Sequence, residues 1–440
     1  MPQPGMPFKE MRERVLADMA ASHCVSIIGL SNTGKSMLMR SLVDEASQRQ
    51  YKKLAGHAGH LIYIDCNRAV AISDQAFYEV VLRSIIENLG AKNETALVPT
   101  LREQHQTITE ADSSFTASLS FNLALSNLCE QADQDLCLLF DEFGEIYAAL
   151  DDRALLNLRA LRDRFHDRLV YATATERSLP ELRGGPVEDE FAELFSRFTY
   201  PMPLLSEAEM ELLLDRLNLS GIPEEIHPKI LELAGGHPGM LIAVAQLLAN
   251  AARGRKVDPE FLARIEPQPR AECLKLWSQL EEDDQNALIS LVLEPNAGLP
   301  PRQLHRLETL GMLREGQPFS PIFTEFIARK GRGADIDAEG VFLDSDSGDV
   351  WVEGIRVPVL TDLEYRLLDL LYSRRDKLTD KYQIVTAVWG EEYLGSVDDA
   401  RIEKLISRLR SKIEPDPSEP RYLITRRGRG YKLLSGPSKS

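Results

Sequence analysis

Gly29-Leu30-Ser31-Asn32-Thr33-Gly34-Lys35-Ser36 follows the apolar run Val25-Ser26-Ile27-Ile28 and leads into Met37-Leu38-Met39-Arg40-Ser41-Leu42. A buried strand there passes into a helix through a tight, glycine-containing turn. That is the setting of a P-loop. Gly29 and Gly34 let the backbone curl until successive N–H groups point inward, and the positive end of the following helix adds to their pull on an anion. Lys35 is placed to neutralise the β- and γ-phosphates, and the Ser36 hydroxyl to complete the shell of a Mg²⁺ ion. Asn32, Thr33 and Met37 complete the candidate nucleotide-binding stretch, with ATP or ADP as the ligand.

The chain is long enough for several cores: 440 residues, 43% apolar and 27% charged, is ordinary globular composition and excludes the disordered classes. No apolar run reaches the ~18 residues needed to span a bilayer. Met1-Pro2-Gln3-Pro4-Gly5 lacks a basic segment followed by an apolar one, so a cytoplasmic protein without a membrane partner is expected. The cysteines Cys24, Cys66, Cys129, Cys137 and Cys273 show no paired ligand spacing and read as reduced core residues rather than a zinc site. His57 and His60 stand three apart like a ligand pair but have no Cys, Asp or Glu partner at metal-ligand spacing nearby, which favours a polar, Gly-rich loop. The formal charge of −17 is uneven, because positions 401 to 432 hold ten Lys/Arg and four Asp/Glu, leaving +6 there and −23 elsewhere. An acidic body with one basic tip meets a polyanion through the tip alone.

Outward from the P-loop, strand and helix patterns alternate as in a parallel sheet. Phe8 to Ala21 reads as an amphipathic helix with Met11, Val15, Leu16 and Met19 at helical spacing. Leu61 to Cys66 reads as a strand, followed by a helix with Phe77, Val80, Val81, Ile85 and Ile86 on one side. From about 91 to 130 the pattern weakens into a polar connection and then an apolar helix around Phe121 to Leu128, with no assignable role. Leu136-Cys137-Leu138-Leu139-Phe140 is a continuous apolar run ending in Asp141-Glu142, a strand buried on both faces that delivers acids to the carboxyl edge of a sheet. This is a Walker B pattern, in which Asp141 would hold Mg²⁺ through water and Glu142 would orient and deprotonate the attacking water. Leu169 to Thr173 reads as a fourth strand ending in Ala174-Thr175-Glu176-Arg177. There Arg177 is either a catalytic group sensing the γ-phosphate or a surface arginine beside a helix cap at Thr175. Phe198 to Pro203 reads as the fifth strand, preceded by Arg197, which is either a second phosphate-reading arginine or, the simpler reading, a surface residue.

A helical segment from about Ser206 to Asn250 contains Ala234-Gly235-Gly236-His237-Pro238-Gly239, where a glycine pair ends one helix and Pro238 opens the next. In this order of motifs, residues ~8 to 330 resemble the STAND branch of AAA+ ATPases. The resemblance implies a Gly-Gly-His-Pro turn lying over the nucleotide, and so His237 and Pro238 as contacts to it. In that family the arginine directly follows a hydroxyl residue, whereas Glu176 intervenes here. Leu276 to Leu280, Leu307 to Leu313 and Phe319 to Phe323 look like the winged helix that clamps nucleotide in such switches.

Lys330-Gly331-Arg332-Gly333-Ala334-Asp335 reads as a linker. Beyond it come short strand patterns, Val341 to Leu343, Val350 to Val352 and Ile355 to Val357, then helices opening at Leu360-Thr361 and carrying Ile384 to Trp389. Ser396-Val397-Asp398-Asp399 fits a capping box for a third helix. In that helix Ile402, Leu405, Ile406, Leu409 and Ile413 form one stripe, while Arg401, Lys404, Arg408 and Lys412 share a neighbouring face. That face is free to meet phosphates and base edges of double-stranded DNA. Tyr422 to Tyr431 reads as two strands about a basic hairpin. Residues ~340 to 436 resemble the OmpR/PhoB-type winged helix, from Leu360-Thr361 and Glu364 through Val388-Trp389-Gly390 and Leu409-Arg410 to Gly428-Arg429-Gly430-Tyr431. By that resemblance Arg408 would reach bases, Thr425 a phosphate and Arg427 the minor groove. A phosphate-accepting receiver domain, the usual partner of this module, is not found in the sequence.

The expected architecture is an α/β P-loop ATPase core with a parallel sheet, a helical lid and a winged helix, followed by a C-terminal winged helix-turn-helix. Its expected segments are an N-terminal helix (1–20), the core (21–204), the lid (205–268), the first winged helix (269–330), a linker (331–340) and the DNA-binding module (341–440). Two functions fit. One is an ATP/ADP-switched DNA-binding transcriptional regulator of the STAND type, with slow hydrolysis controlling domain arrangement or homo-oligomerisation. The other is a DNA-recruited AAA+ ATPase acting in replication, transposition or defence against mobile elements.

Overall fold

The computed structural model describes residues 7–91, 96–131, 134–183, 190–217, 224–251, 270–294, 298–333, 340–343, 350–352, 355–358, 360–390, 399–414, 416–426 and 428–434. The chain divides into two compact units, Met1–Asp284 with Leu299–Thr324, and Gln285–Gly298 with Glu325–Ser440. Residues 269–330, read above as one winged helix, contribute to both.

The first unit is built on five parallel strands, β1 (Val25–Ile28), β2 (Gly59–Asp65), β3 (Asp135–Asp141), β4 (Leu169–Thr175) and β5 (Thr199–Pro201), in the order β2-β3-β4-β1-β5. β3 and β4 are buried at every position, as expected of strands covered by helices on both faces. Asp65 pairs with Asp141 and Ile28 with Thr175, so the carboxyl ends of four strands finish level. The P-loop, the acid pair and Thr175-Glu176-Arg177 therefore emerge along one edge.

An aromatic chain fills one side of the sheet: Phe77 lies 5.6 Å from Phe140 and 5.8 Å from Phe143, and Tyr171 lies 5.8 Å from both Phe140 and Phe191. The 91–130 stretch belongs to this core. Where a polar connection was expected, a helix runs from Val98 to Thr109, and a second follows from Ser114 to Gln131. Ala117, Phe121, Ala124, Leu125 and Leu128 are buried on the second, and Phe121 stacks on Tyr78 at 4.5 Å. The first buries Val98, Leu101 and Ile108, too few positions to show a period in the sequence but enough to seat one side of the helix.

Three lid helices, Glu207–Leu217, His227–Ala234 and Pro238–Ala251, follow the sheet. The glycine pair closes the middle one: Gly235 is left-handed at φ 59°, and its N–H reaches the Leu231 carbonyl at 3.0 Å. A Cβ at Gly235 would stand 1.7 Å from the Phe319 carbonyl oxygen, so only glycine fits under that segment.

In the second unit, Val341–Leu343, Val350–Val352 and Ile355–Arg356 form an antiparallel sheet beside the helices Asp362–Ser373, Lys381–Val388 and Asp399–Ile413. Leu423–Arg426 and Gly430–Leu433 form the expected hairpin. Thr361 with Glu364, and Asp380 with Gln383, make reciprocal capping boxes. The Ser396 cap lies outside the described residues. The helix Pro321–Gly333 runs through the start of the expected linker, because Gly331 is buried where a Cβ would come within 2.7 Å of both Ile289 and Leu293. That glycine allows two helices to approach and does not mark a loop.

Gly235→Ala forces a Cβ into a left-handed backbone and against a carbonyl, costs of at least ~1–2 kcal/mol from the backbone alone. We expect its urea midpoint to fall well below that of the wild type; an unchanged midpoint would mean the turn is not packed as described.

Candidate functional site

The P-loop encloses its lysine. Gly34 is left-handed at φ 98° and Asn32 at φ 60°, the latter a conformation Asn tolerates. Lys35 opens the helix Lys35–Ser41 with 4% exposure, and its Nζ donates to the carbonyls of Gly29 at 2.6 Å and Leu30 at 3.1 Å. Burial pulls its pKa down, while Glu176, Glu142 and Asp141 hold it up. The Thr33 hydroxyl donates to Leu30 O at 2.7 Å, fixing the turn rather than facing outward.

A cavity of about 460 Å³ opens beside the loop, a size common for small-molecule sites. Asn32, Gly34, Lys35, Ser36, Met37, Glu142 and Pro238 line it, all of them predicted from the sequence; Gly239, Ile242, Ala243, Gln246 and Glu272 complete the wall. Gly29, Thr33, Asp141, Arg177 and His237 are not part of that wall.

Asp141, 1% exposed at the end of β3, takes the Tyr63 hydroxyl on Oδ2 at 2.7 Å and the Glu142 N–H on Oδ1 at 3.1 Å. Arg40 Nε in turn donates to the Tyr63 oxygen at 3.2 Å. Burial, with the Asp141 carboxylate beside it, pushes the Tyr63 phenol up and keeps it a donor. Glu142 is held at φ 52°, a strained conformation of the kind found at functional sites. Burial raises its pKa, with Lys35 opposing and Asp141 and Glu176 reinforcing the rise. Among the described residues no group of three His, Cys, Asp or Glu side chains is set to hold a metal by itself. A carboxylate and a hydroxyl, Asp141 and Ser36, suit Mg²⁺ only in company with phosphate oxygens.

Arg177 Nη1 pairs with Glu281 at 3.2 Å and its Nη2 donates to Gln279 O at 3.1 Å, and Arg177 does not line the cavity. The helix Arg270–Gln279 reaches the loop itself: Asn32 Nδ2 donates to Glu272 Oε2 at 2.8 Å, and Ser31 N–H to Gln279 Oε1 at 2.8 Å. Tyr63, Glu272 and Gln279 were not found from the sequence. A tyrosine on the strand beside the acid run was the one available signal; the other two meet the loop across some 240 residues of chain.

His237 is fully buried, stacked on Phe319 at 5.3 Å, with Nδ1 accepting the Met240 N–H at 3.2 Å. Its Nε2 has no hydrogen-bond partner among the described residues. Burial, and then Lys35, depress its pKa to about 3.

In the second unit the helix Asp399–Ile413 buries Ile402, Leu405, Ile406, Leu409 and Ile413, and leaves Arg401, Lys404 and Arg408 exposed. Lys412 is placed otherwise: its Nζ pairs with Glu364 at 2.8 Å, at 23% side-chain exposure. Burial pushes the Glu364 carboxyl up, but Lys412 and the Thr361 cap outweigh it and hold the pKa below the ordinary value. Thr425 Oγ1 accepts from Arg410 at 2.8 Å, and Arg410 also binds the Leu423 carbonyl. Glu414 collects the N–H groups of Arg421, Tyr422 and Leu423 and so fixes the start of the hairpin. Arg426 and Arg429 are exposed on the hairpin, whereas Arg427 lies outside the described residues.

Residues 10–177 match the family described as AAA ATPase domain, and residues 356–433 the family described as transcriptional regulatory protein, C terminal. The chain therefore joins an AAA ATPase domain to a C-terminal winged-helix DNA-binding domain of the OmpR/PhoB type. In its C-terminal part it is 37% identical over 113 residues to the sensory transduction protein RegX3 of Mycobacterium leprae, covering 24% of this chain and 56% of that one. It is 41% identical over 85 residues to the uncharacterized transcriptional regulatory protein YrkP of Bacillus subtilis, covering 19% and 36%. The chain thus spans only about a third to just over half of these relatives. Among solved structures, the Aeropyrum pernix ORC2 protein in its ADPNP–ADP complexes is 13% identical over 80% of this chain and 92% of that one, with a TM-score of 0.45. The Klebsiella pneumoniae RstA DNA-binding domain in complex with the RstA box is 25% identical over 22% and 92%, with a TM-score of 0.20. No helix among the described residues is long and apolar enough to cross a membrane.

His237 generates a pH prediction. Its folded pKa lies below the unfolded value, so the unfolded chain takes up the proton first as pH falls, and stability is lost from about pH 6.5 downward toward 3, by up to ~1.4 kcal/mol per unit. We expect His237→Phe to show a shallower decline in denaturation midpoint between pH 6.5 and 4 than the wild type. Parallel slopes would remove His237 as the cause.

Proposed function

We propose that this protein is an ATP/ADP-switched DNA-binding transcriptional regulator of the STAND type. The observation that carries the reading is the cavity in which Asn32, Lys35, Ser36 and Glu142 share a wall with the lid residue Pro238. On binding, the phosphates take over Lys35 Nζ from the Gly29 and Leu30 carbonyls, and the P-loop N–H groups provide the cradle. Ser36, and through water Asp141, the latter oriented by Tyr63, would hold a Mg²⁺ ion, which would supply charge neutralisation at the outer phosphates. Glu142, with its raised pKa, is the base that orients water, and the slow hydrolysis that follows works as a timer.

Arg401, Lys404 and Arg408 meet the major groove, with Arg408 at base edges; Thr425 takes a phosphate and the hairpin arginines, Arg427 among them, the minor groove. Lys412 serves this face at second hand, since its charge is spent on Glu364. Nucleotide state sets whether the C-terminal domain is exposed, hidden or gathered into a homo-oligomer on DNA. On this reading the protein works in the cytoplasm, where DNA is.

Anisotropy on fragments from around the protein's own gene, at fixed salt, tests the switch with ADP, ATP and a non-hydrolysable ATP analogue. We expect affinities to differ by roughly tenfold, about 1.4 kcal/mol of coupling, and the difference to vanish in Lys35→Ala. Equal affinity in all three states would make DNA binding a tether and favour an ATPase recruited to DNA.

Arg408→Ala should relax discrimination between operator and scrambled DNA by ~1 to 3 kcal/mol while leaving nucleotide affinity unchanged. An unaltered operator affinity would mean the helix Asp399–Ile413 is not the reading element.

A further inference from the structure

The helix Arg270–Gln279 touches the P-loop through three polar side chains, Glu272, Lys275 and Gln279. Glu272 Oε2 and Lys275 Nζ hold the two ends of the Asn32 amide, at 2.8 and 3.4 Å, while Gln279 Oε1 takes the Ser31 N–H at 2.8 Å. Glu272 is also part of the cavity wall that Lys35 and Ser36 share. Its second oxygen, Oε1, is buried with no hydrogen-bond partner among the described residues. That oxygen lies against Gly239, where a Cβ would come within 2.3 Å of it, and the Gly239 N–H binds Asn32 O at 3.1 Å. One carboxylate thus sits between the middle of the P-loop and the start of the helix Pro238–Ala251. Glu142 already places a second carboxylate on the same cavity.

We propose that Glu272 makes the cavity select a nucleoside diphosphate over a triphosphate while the helix Arg270–Gln279 is seated on the P-loop. The inference rests on the reading of the cavity as a nucleotide site. A diphosphate is served by the P-loop N–H groups and Lys35 and ends there. A third phosphate, which shares Lys35 with the second, brings more negative charge into a partly desolvated wall that already holds the carboxylates of Glu142 and Glu272, where repulsion is weakly screened. The triphosphate enters when Glu272 leaves, and Glu272 cannot leave alone, since Lys275 and Gln279 hold the same loop from the same helix. Gln279 O and Glu281 also hold Arg177, so release of the helix end frees that guanidinium as well. Discrimination between nucleotides and release of Arg177 are then one event.

The test measures ADP and a non-hydrolysable ATP analogue binding to the full chain, wild type and Glu272→Gln, by calorimetry. The amide keeps the shape and removes the charge. The wild type is expected to prefer ADP, and in Glu272→Gln the analogue is expected to gain roughly tenfold while ADP changes less than twofold. An unchanged ratio overturns the inference. Hydrogen exchange on the unmutated chain gives an independent reading: protection of residues 270–279 should be higher with ADP than with the analogue, and equal protection also overturns it. A wild type that binds neither nucleotide removes the underlying site reading, a failure distinct from an unaltered preference.

Discussion

The arrangement of the first unit depends on a cation taken out of water. Lys35 is 4% exposed and is held by two P-loop carbonyls. A buried ammonium is tolerated only when hydrogen bonds and opposite charges repay its desolvation. Both kinds of compensation come from the carboxyl edge of the sheet: carbonyls from the turn after β1, and charge from Asp141, Glu142 and Glu176 at the ends of β3 and β4. The same groups define what the site can bind. A phosphate brings oxygens that replace the carbonyls and charge that competes with the carboxylates, so the lysine is set for exchange of partners.

Level strand ends make this possible, and they follow from two strands buried along their whole length. That part was legible, because an uninterrupted apolar run such as Leu136–Phe140 admits only a strand covered on both faces, and its terminal acids then have one place to go. The turn at Gly235 was legible for a similar reason: a glycine pair before His-Pro ends one helix and starts another whatever surrounds it. Local rules decide these positions.

Other parts depend on distant segments. The helix Val98–Thr109 shows few apolar positions and folds against the helices on either side of it, so its stability is tertiary. Gly331 was read as linker because glycine in a polar stretch usually marks a loop, whereas here it is the point where two helices touch. His237 and Pro238 were both read as nucleotide contacts; Pro238 lines the cavity, whereas His237 is packed under Phe319 and is not part of its wall. The Asn32–Glu272 contact joins a loop to a helix 240 residues away, and no periodicity encodes such a pairing.

Helical spacing also overstates the basic face of the helix Asp399–Ile413. Lys412 lies within 20° of Arg401 on an ideal wheel, so a count from sequence adds it to the exposed cations. At the end of the helix the neighbour Asp362–Ser373 brings Glu364 within 2.8 Å, and the lysine becomes a tie between two helices. Glu364 already caps its own helix by accepting the Thr361 N–H at 2.9 Å, so one carboxylate joins a cap and the pair of helices Asp362–Ser373 and Asp399–Ile413. The rest of the chain carries −23 against +6 in residues 401–432, so each cation withdrawn from the face is a sizeable fraction of what is left to meet a polyanion. Among the described residues of 401–432, Arg401, Lys404 and Arg408 are exposed on the helix, Arg421 just before the hairpin, and Arg426 and Arg429 on it. On the proposed reading, so few exposed cations on an acidic body would release few counterions, and base contacts would have to carry more of the affinity than phosphate contacts do.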